Sequence, residues 1–291
     1  MHKLTLWLGA FRPRTLGAAL APVAMGVAWA AAHGTRQWML AVLVLLSALL
    51  IQIGTNLAND YFDFRKGADT AERIGPRRLS QSGLMSPRDV RRAFVLAFAL
   101  AVAIGAVLLA RGGLPIFVIG VLAVAFGVLY TGGPFPLAYN GLGDVFAFVF
   151  FGPVAVAGTV WVLALEWVPR AALAGVGPGL LSAALLVVNN LRDREQDRVA
   201  RKRTLVVRFG VGYARSQYMV CLVGAALIPV FQVWTGAAGP ALLLASASIL
   251  LALPAARLVL TAQGPILNQA LAGTGKTLLL YGLAWSVGIL V

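Results

Sequence analysis

Nine runs of roughly 20 apolar residues, separated by short polar breaks, leave this chain little choice of environment. A bilayer core of about 30 Å is crossed by about 20 helical residues, and helices satisfy every backbone polar group where no water can. The runs fall at 15–33, 38–58, 92–110, 114–131, 143–163, 171–190, 215–234, 238–260 and 275–291. With 60% of residues hydrophobic and 12% charged, the chain carries far more apolar sequence than a soluble core can bury. The expected fold is an all-α membrane protein of about nine transmembrane helices. Leu4 to Phe11 adds a short interfacial helix. Arg12 and Arg14 follow that stretch instead of preceding it, the reverse of a cleavable secretion signal.

The distribution of charge orients the helices. Of the 24 Lys and Arg, 21 lie at the N-terminus or in and beside the breaks after the even-numbered runs, whereas Arg36, Arg111 and Arg170 lie on the other side. Cationic loops stay in the cytoplasm, so both long polar breaks are expected there. The net charge of +14 is then a consequence of topology and gives no reason to expect nucleic acid. A single Cys221 excludes an intramolecular disulfide, and two histidines, His2 and His33, make no histidine metal centre.

The acidic residues are placed where they cost most. Eight of the ten fall in two patches, 56–89 and 189–197, each directly after an apolar run. A carboxylate at the end of a membrane helix is unfavourable unless paired or metal-bound, which marks both patches as functional. Each repeats a four-residue step: Asn59 to Asp63 in one, Asn189 to Asp193 to Asp197 in the other. Residues four apart share a helix face, so their oxygens converge. Hard oxygen donors in that arrangement suit Mg²⁺, which shares its shell with water and substrate phosphate. One patch per four runs suggests two four-helix halves, within a single domain spanning 1–291, around a central cavity.

Basic residues accompany both patches: Arg65, Lys66, Arg73, Arg77 and Arg78 beyond Asp63 in the first, Arg201, Lys202 and Arg203 after the second. Carboxylates alone bind a cation and basic side chains alone bind an anion. Together they describe a metal-diphosphate site, and the membrane setting makes the rest of the substrate a lipid. An allylic prenyl diphosphate meets both demands.

The blocks NDYFDFRKGAD (59–69), RIGPRR (73–78), YTGGPFPLAYNGLGD (130–144) and NNLRDREQDRVARKRTLVVRFG (189–210) resemble the UbiA superfamily of intramembrane aromatic prenyltransferases. Within it they are most similar to the MenA type, the 1,4-dihydroxy-2-naphthoate polyprenyltransferases of menaquinone synthesis. The third acid of the first block stands at Asp69, where the wider superfamily pattern puts it at the position of Gly67. The resemblance implies a UbiA-like helical fold in the inner membrane with its active site facing the cytoplasm. It implies Mg²⁺ ligation by Asn59, Asp63, Asn189, Asp193 and Asp197 with Asp60 and Asp69 nearby, and diphosphate contacts from Lys66, Arg73, Arg78, Lys202 and Arg203. Asp63, Asp193, Asp197 and Lys202 are then the catalytic set. The reaction implied joins a polyprenyl chain to 1,4-dihydroxy-2-naphthoate with loss of carbon dioxide.

The 130–144 block has no Lys or Arg and is rich in Gly, Pro and aromatics. That suits a planar ring, so Tyr130, Tyr139, Asn140 and Asp144 are candidates to hold the aromatic substrate. Phe62, Tyr130, Phe135 and Tyr139 are candidates to shield a carbocation. Two other readings share part of this pattern. An ion-coupled transporter also repeats acids near broken helices, but holds them near the bilayer midplane. 4-Hydroxybenzoate or homogentisate remains an alternative acceptor. The stretch from Gly273 to Thr277 imitates a phosphate-binding loop but has Ala270 where glycine is required.

Overall fold

The computed structural model describes residues 3–67, 79–81 and 83–291. Its regular structure is helical: α1 Lys3–Ala10, α2 Pro13–Ala32, α3 Trp38–Arg65, α4 Pro87–Leu129, α5 Gly143–Phe150, α6 Pro153–Ala164, α7 Pro169–Arg192, α8 Arg194–Val199, α9 Leu205–Trp234, α10 Leu243–Ser248, α11 Leu253–Thr261 and α12 Leu267–Leu290. Helix starts follow local chemistry. Pro13, Pro87, Pro153 and Pro169 occupy first-turn positions, where the missing N–H costs nothing. The Ser86 hydroxyl accepts from the Asp89 N–H at 3.1 Å and the Thr204 hydroxyl from the Val207 N–H at 3.3 Å, capping α4 and α9.

Seven helical stretches are long and apolar enough to cross a membrane, against the nine read from the sequence. The difference has two physical sources. α4 is 43 residues of nearly unbroken helix, but Gly113 within it has φ 62° and ψ −152°, a conformation only glycine adopts readily. Phe98 and Gly127, on either side of that residue, are neighbours: a Cβ on Gly127 would lie 3.2 Å from the Phe98 ring. In a straight helix they would stand about 40 Å apart at 1.5 Å per residue. α4 is therefore an antiparallel hairpin of two helices, the separate runs 92–110 and 114–131. α12 has 24 residues, enough to cross, but Asn268, Gln269, Lys276 and several Gly and Thr dilute its apolar character.

Large apolar side chains such as Leu96, Leu114, Val220 and Leu250 point outward, as a lipid-facing surface requires. Inside, small residues let backbones touch. A Cβ on Gly152 would come within 2.6 Å of the Gly175 carbonyl oxygen and 2.7 Å of the Gly179 Cα, so the α5–α6 junction rests directly on α7. α7 is buried on most faces, with Ala174, Leu181, Ala184, Val187 and Val188 in the core. The C-terminal ends of α3 and α7 meet at one end of a cavity of about 760 Å³, whose remaining wall is mostly apolar: Ile51, Leu108, Ile116, Phe126, Phe146 and Phe150.

Candidate active site

Helical spacing places Asn56, Asn59 and Asp63 on one face of α3, and all three line the cavity. From the other side come Asn189, Asn190 and Asp193 at the end of α7, Asp197 on α8 and Lys202 just beyond. Arg201 turns the chain back in the left-handed conformation at φ 56°, and the Lys202 N–H donates to the Asp197 carbonyl at 2.8 Å. The Lys202 ammonium thereby reaches between the two acidic clusters. It stands 3.1 Å from Asp63 Oδ2 and 3.9 Å from Asp197 Oδ1, with the lysine side chain 11% exposed and that of Asp63 2%.

The loop after α4 closes the same end. Its backbone is tied to the second cluster where the Arg203 N–H donates to the Tyr139 carbonyl at 2.9 Å. The Tyr139 hydroxyl donates to Asp63 Oδ1 at 2.9 Å, and the Lys66 and Lys202 ammoniums lie 4.7 and 4.9 Å from its ring centre. Such contacts hold both ammoniums over the ring through its quadrupole. Lys66 also donates to the Thr131 carbonyl at 2.7 Å, while the Thr131 hydroxyl donates to Asn59 Oδ1 at 2.9 Å. Partial burial lowers the Lys66 ammonium below the ordinary lysine value, with Asp63 opposing the shift and Lys202 adding to it.

Asp193 is held by a residue the sequence did not single out. Arg192 is 3% exposed, and its guanidinium donates to both Asp193 oxygens at 2.7 and 2.6 Å, to Asn189 Oδ1 at 2.9 Å and to Asn268 Oδ1 at 2.8 Å. One planar fork thus fixes two cavity-lining donors and ties them to α12. Arg192 stands inside the second motif, where spacing alone gives it no role. Only packing against Asn268 distinguishes it.

Several expected roles change. Asp60, grouped with the metal ligands, does not line the cavity: its carboxylate accepts from the Leu79 N–H at 2.8 Å and the Ser80 N–H at 3.3 Å. One residue from Asn59, it is turned about 100° away around the helix. Asn140 holds its own loop, donating to the Pro136 carbonyl at 2.8 Å, while its carbonyl accepts from Arg208 at 2.9 Å. Asp144 is buried behind Tyr130, accepting from the Gln217 amide at 3.3 Å, beside a small void and not on the main cavity. The Arg203 side chain is exposed, as is Phe135, which leaves neither in the cavity wall. Tyr130 does line it. Asp69, Arg73 and Arg78 lie outside the described residues. Gln52, Asn56, Thr131 and Arg12 line the cavity without having been picked as site residues.

The donor set suits a hard divalent cation. Among the described residues no three acidic, histidine or cysteine side chains make a complete metal site by themselves. Two amide-carboxylate clusters face one space, and an ammonium already sits between them; a cation that completes its shell with phosphate oxygens fits that arrangement.

A membrane-embedded helical protein with a long apolar cavity ending in two acid-amide clusters defines an enzyme of the intramembrane prenyltransferase class. The chain belongs to the UbiA prenyltransferase family, whose pattern matches residues 19–274. It is similar to the 1,4-dihydroxy-2-naphthoate octaprenyltransferase of Mycobacterium tuberculosis, 38% identical over 98% of this chain and 96% of that one. The fold is shared with solved UbiA homologues. The apo structure from Aeropyrum pernix K1 has a TM-score of 0.71 at 14% identity, covering 93% of this chain and 97% of that one. A homologue from Archaeoglobus fulgidus bound to GPP and Mg²⁺ has a TM-score of 0.66 at 16% identity, covering 97% and 99%.

Proposed function

We propose that this protein transfers a polyprenyl chain from an allylic prenyl diphosphate to 1,4-dihydroxy-2-naphthoate, with loss of carbon dioxide, in menaquinone biosynthesis. The observation that carries the reading is one cavity, apolar along most of its wall, that ends in Asn59, Asp63, Asn189, Asp193, Asp197 and Lys202. The name of the mycobacterial relative supplies the acceptor. The positive-inside charge pattern supports a cytoplasmic site in the inner membrane.

In this reading Asn59, Asp63, Asn189, Asp193 and Asp197 hold Mg²⁺. Bound there, the ion neutralises phosphate oxygens and so stabilises the leaving diphosphate. Lys202 and Lys66 add their ammoniums to the same leaving group. The allylic C–O bond breaks with its electron pair leaving on the diphosphate. The Tyr130 and Phe126 rings, both in the cavity wall, shield the carbocation and keep water from it. The electron-rich naphthoate ring carbon that bears the carboxylate then forms the new C–C bond. Carbon dioxide departs from that carbon, and the electron pair of the broken bond restores the aromatic ring.

The test is purified protein in detergent with Mg²⁺, farnesyl diphosphate and three acceptors: 1,4-dihydroxy-2-naphthoate, 4-hydroxybenzoate and homogentisate. Prenylated naphthoquinol with stoichiometric carbon dioxide is expected from the first alone. Product from 4-hydroxybenzoate or homogentisate instead moves the protein to another acceptor, and no product from any acceptor sinks the reading.

A further inference from the structure

Among the described residues lining the cavity, Lys202 and Arg12 are the two with cationic side chains. Each turnover of the proposed reaction brings in two anionic groups, a diphosphate and a carboxylate. Lys202 is engaged with Asp63 and Asp197. Arg12 belongs to neither acidic patch and to neither of the basic runs that accompany them.

Its backbone is unusual. Arg12 sits between α1 and α2 at φ 52° and ψ 66°, the left-handed region that a long side chain enters at a cost of about 1–2 kcal/mol. Pro13 already bars the ordinary helical conformation at this position. The strained turn is built and held. The Asn56 amide donates to the Phe11 carbonyl at 3.1 Å and to the Thr15 hydroxyl at 3.3 Å, and that hydroxyl donates to the Arg12 carbonyl at 3.0 Å. Asn56 is 4% exposed and shares its helix face with Asn59 and Asp63. The face that supplies the first acidic cluster also fixes the turn that presents Arg12. Strain kept by surrounding bonds concentrates at functional sites. Arg12 lines the cavity together with Thr15 and Asn56, on the side where Asn59 and Asp63 also line it. Arg12 therefore stands at the polar end of the cavity.

We infer that Arg12 is a substrate-binding residue that takes an anionic oxygen pair, using the planar guanidinium fork that matches carboxylate and phosphate alike. The inference rests on the proposed prenyl transfer, which supplies both candidate anions: the acceptor's carboxylate and the donor's diphosphate.

Arg12→Gly separates binding from folding. It removes the fork while relieving the left-handed strain, and the bonds from Asn56 and Thr15 go to backbone carbonyls that glycine keeps. The variant is expected to melt at or above the wild-type temperature. Steady-state kinetics with each substrate varied are expected to show a rise of about tenfold to a hundredfold in the Michaelis constant of one substrate, the value of a charge-assisted contact. Arg12→Lys is expected to recover part of it. A rise confined to the naphthoate, and absent with 1,4-dihydroxynaphthalene, assigns Arg12 to the carboxylate. A rise confined to the prenyl diphosphate assigns it to the diphosphate. Calorimetric binding of farnesyl diphosphate and of the naphthoate to the same preparations reads the contact without turnover. If wild type turns over or binds these ligands and Arg12→Gly matches it within twofold, the inference is overturned while the proposed function stands. If wild type neither binds nor turns over either ligand, both fall.

Discussion

Removing the ammonium between the acidic clusters tests the site at its centre. At 3.1 Å and an effective dielectric near 20, the Lys202–Asp63 attraction is worth about 5 kcal/mol before desolvation is charged against it. Breaking such a pair from one side costs about 3 kcal/mol, because the carboxylate stays buried after its cation is gone. Asp63 keeps the Tyr139 hydroxyl, and Asp197 loses a second, longer contact at 3.9 Å. Lys202→Met is therefore expected to lower the melting temperature of the detergent-purified protein by about 6–12 °C, at 2–4 °C per kcal/mol for a chain of this size. Lys202→Arg keeps the charge and should lose less than half as much. Added Mg²⁺ should restore part of the methionine variant's stability, since a divalent cation can then lie between Asp63 and Asp197. Affinity for prenyl diphosphate should fall about tenfold to a hundredfold. The measurements are scanning fluorimetry with and without Mg²⁺, and calorimetry with the diphosphate. A methionine variant that melts within about 1 °C of wild type and binds prenyl diphosphate equally well would show that this ion pair does no work in the site.

Four further outcomes are expected. Arg192→Leu strips the fork from Asp193, Asn189 and Asn268 and should cut turnover by at least about a hundredfold, as for loss of a transition-state contact, with Asn268→Ala milder; equal turnover in an assay of Arg192→Leu membranes refutes the positioning role. Asp60→Ala removes the acceptor of two backbone N–H groups, about 1–3 kcal/mol each, so melting should fall while prenyl diphosphate affinity in the folded protein stays within about twofold. Asn140→Ala should lower stability by about 1 kcal/mol without changing acceptor preference in a competition assay, since its amide holds the Pro136 carbonyl. Burial disfavours the charged form of Lys66, so its folded value lies below 10.5. Its help to diphosphate binding is full below that lowered value and is lost as pH rises through it. The unfolded chain binds the extra proton in the window up to 10.5, so stability rises with pH there. Lys66→Arg should flatten the alkaline fall in diphosphate affinity measured by calorimetry, and an unchanged profile would exclude Lys66 from the contact.

What the sequence determined by itself were the features governed by short-range periodicity and by transfer from water. Apolar runs about 20 residues long marked the helical stretches, because a bilayer leaves the backbone few other options, although the runs 143–163 and 238–260 each divide into shorter helices. Four-residue spacing put Asn59 with Asp63 and Asn189 with Asp193 because a helix turns once in 3.6 residues. The count of crossing stretches came out differently because the two helices that turn back on each other at Gly113 are joined without a polar break, and because α12 is less apolar than its length suggests. Tertiary packing decided the pairings between distant segments. Lys202 meets Asp63 across 139 residues, Tyr139 meets Asp63 across 76, and Arg192 meets Asn268 across 76. No local pattern specifies such contacts; they depend on which helix faces are pressed together. Composition could not separate Asp60 from Asn59, or Arg12 from the topological arginines, since neighbouring residues on a helix or turn look alike until one is seen to face the cavity and the other a backbone N–H. Sequence chose the donors. The packed helices chose which of them share the cavity, because a side chain's role here is set by the direction it faces.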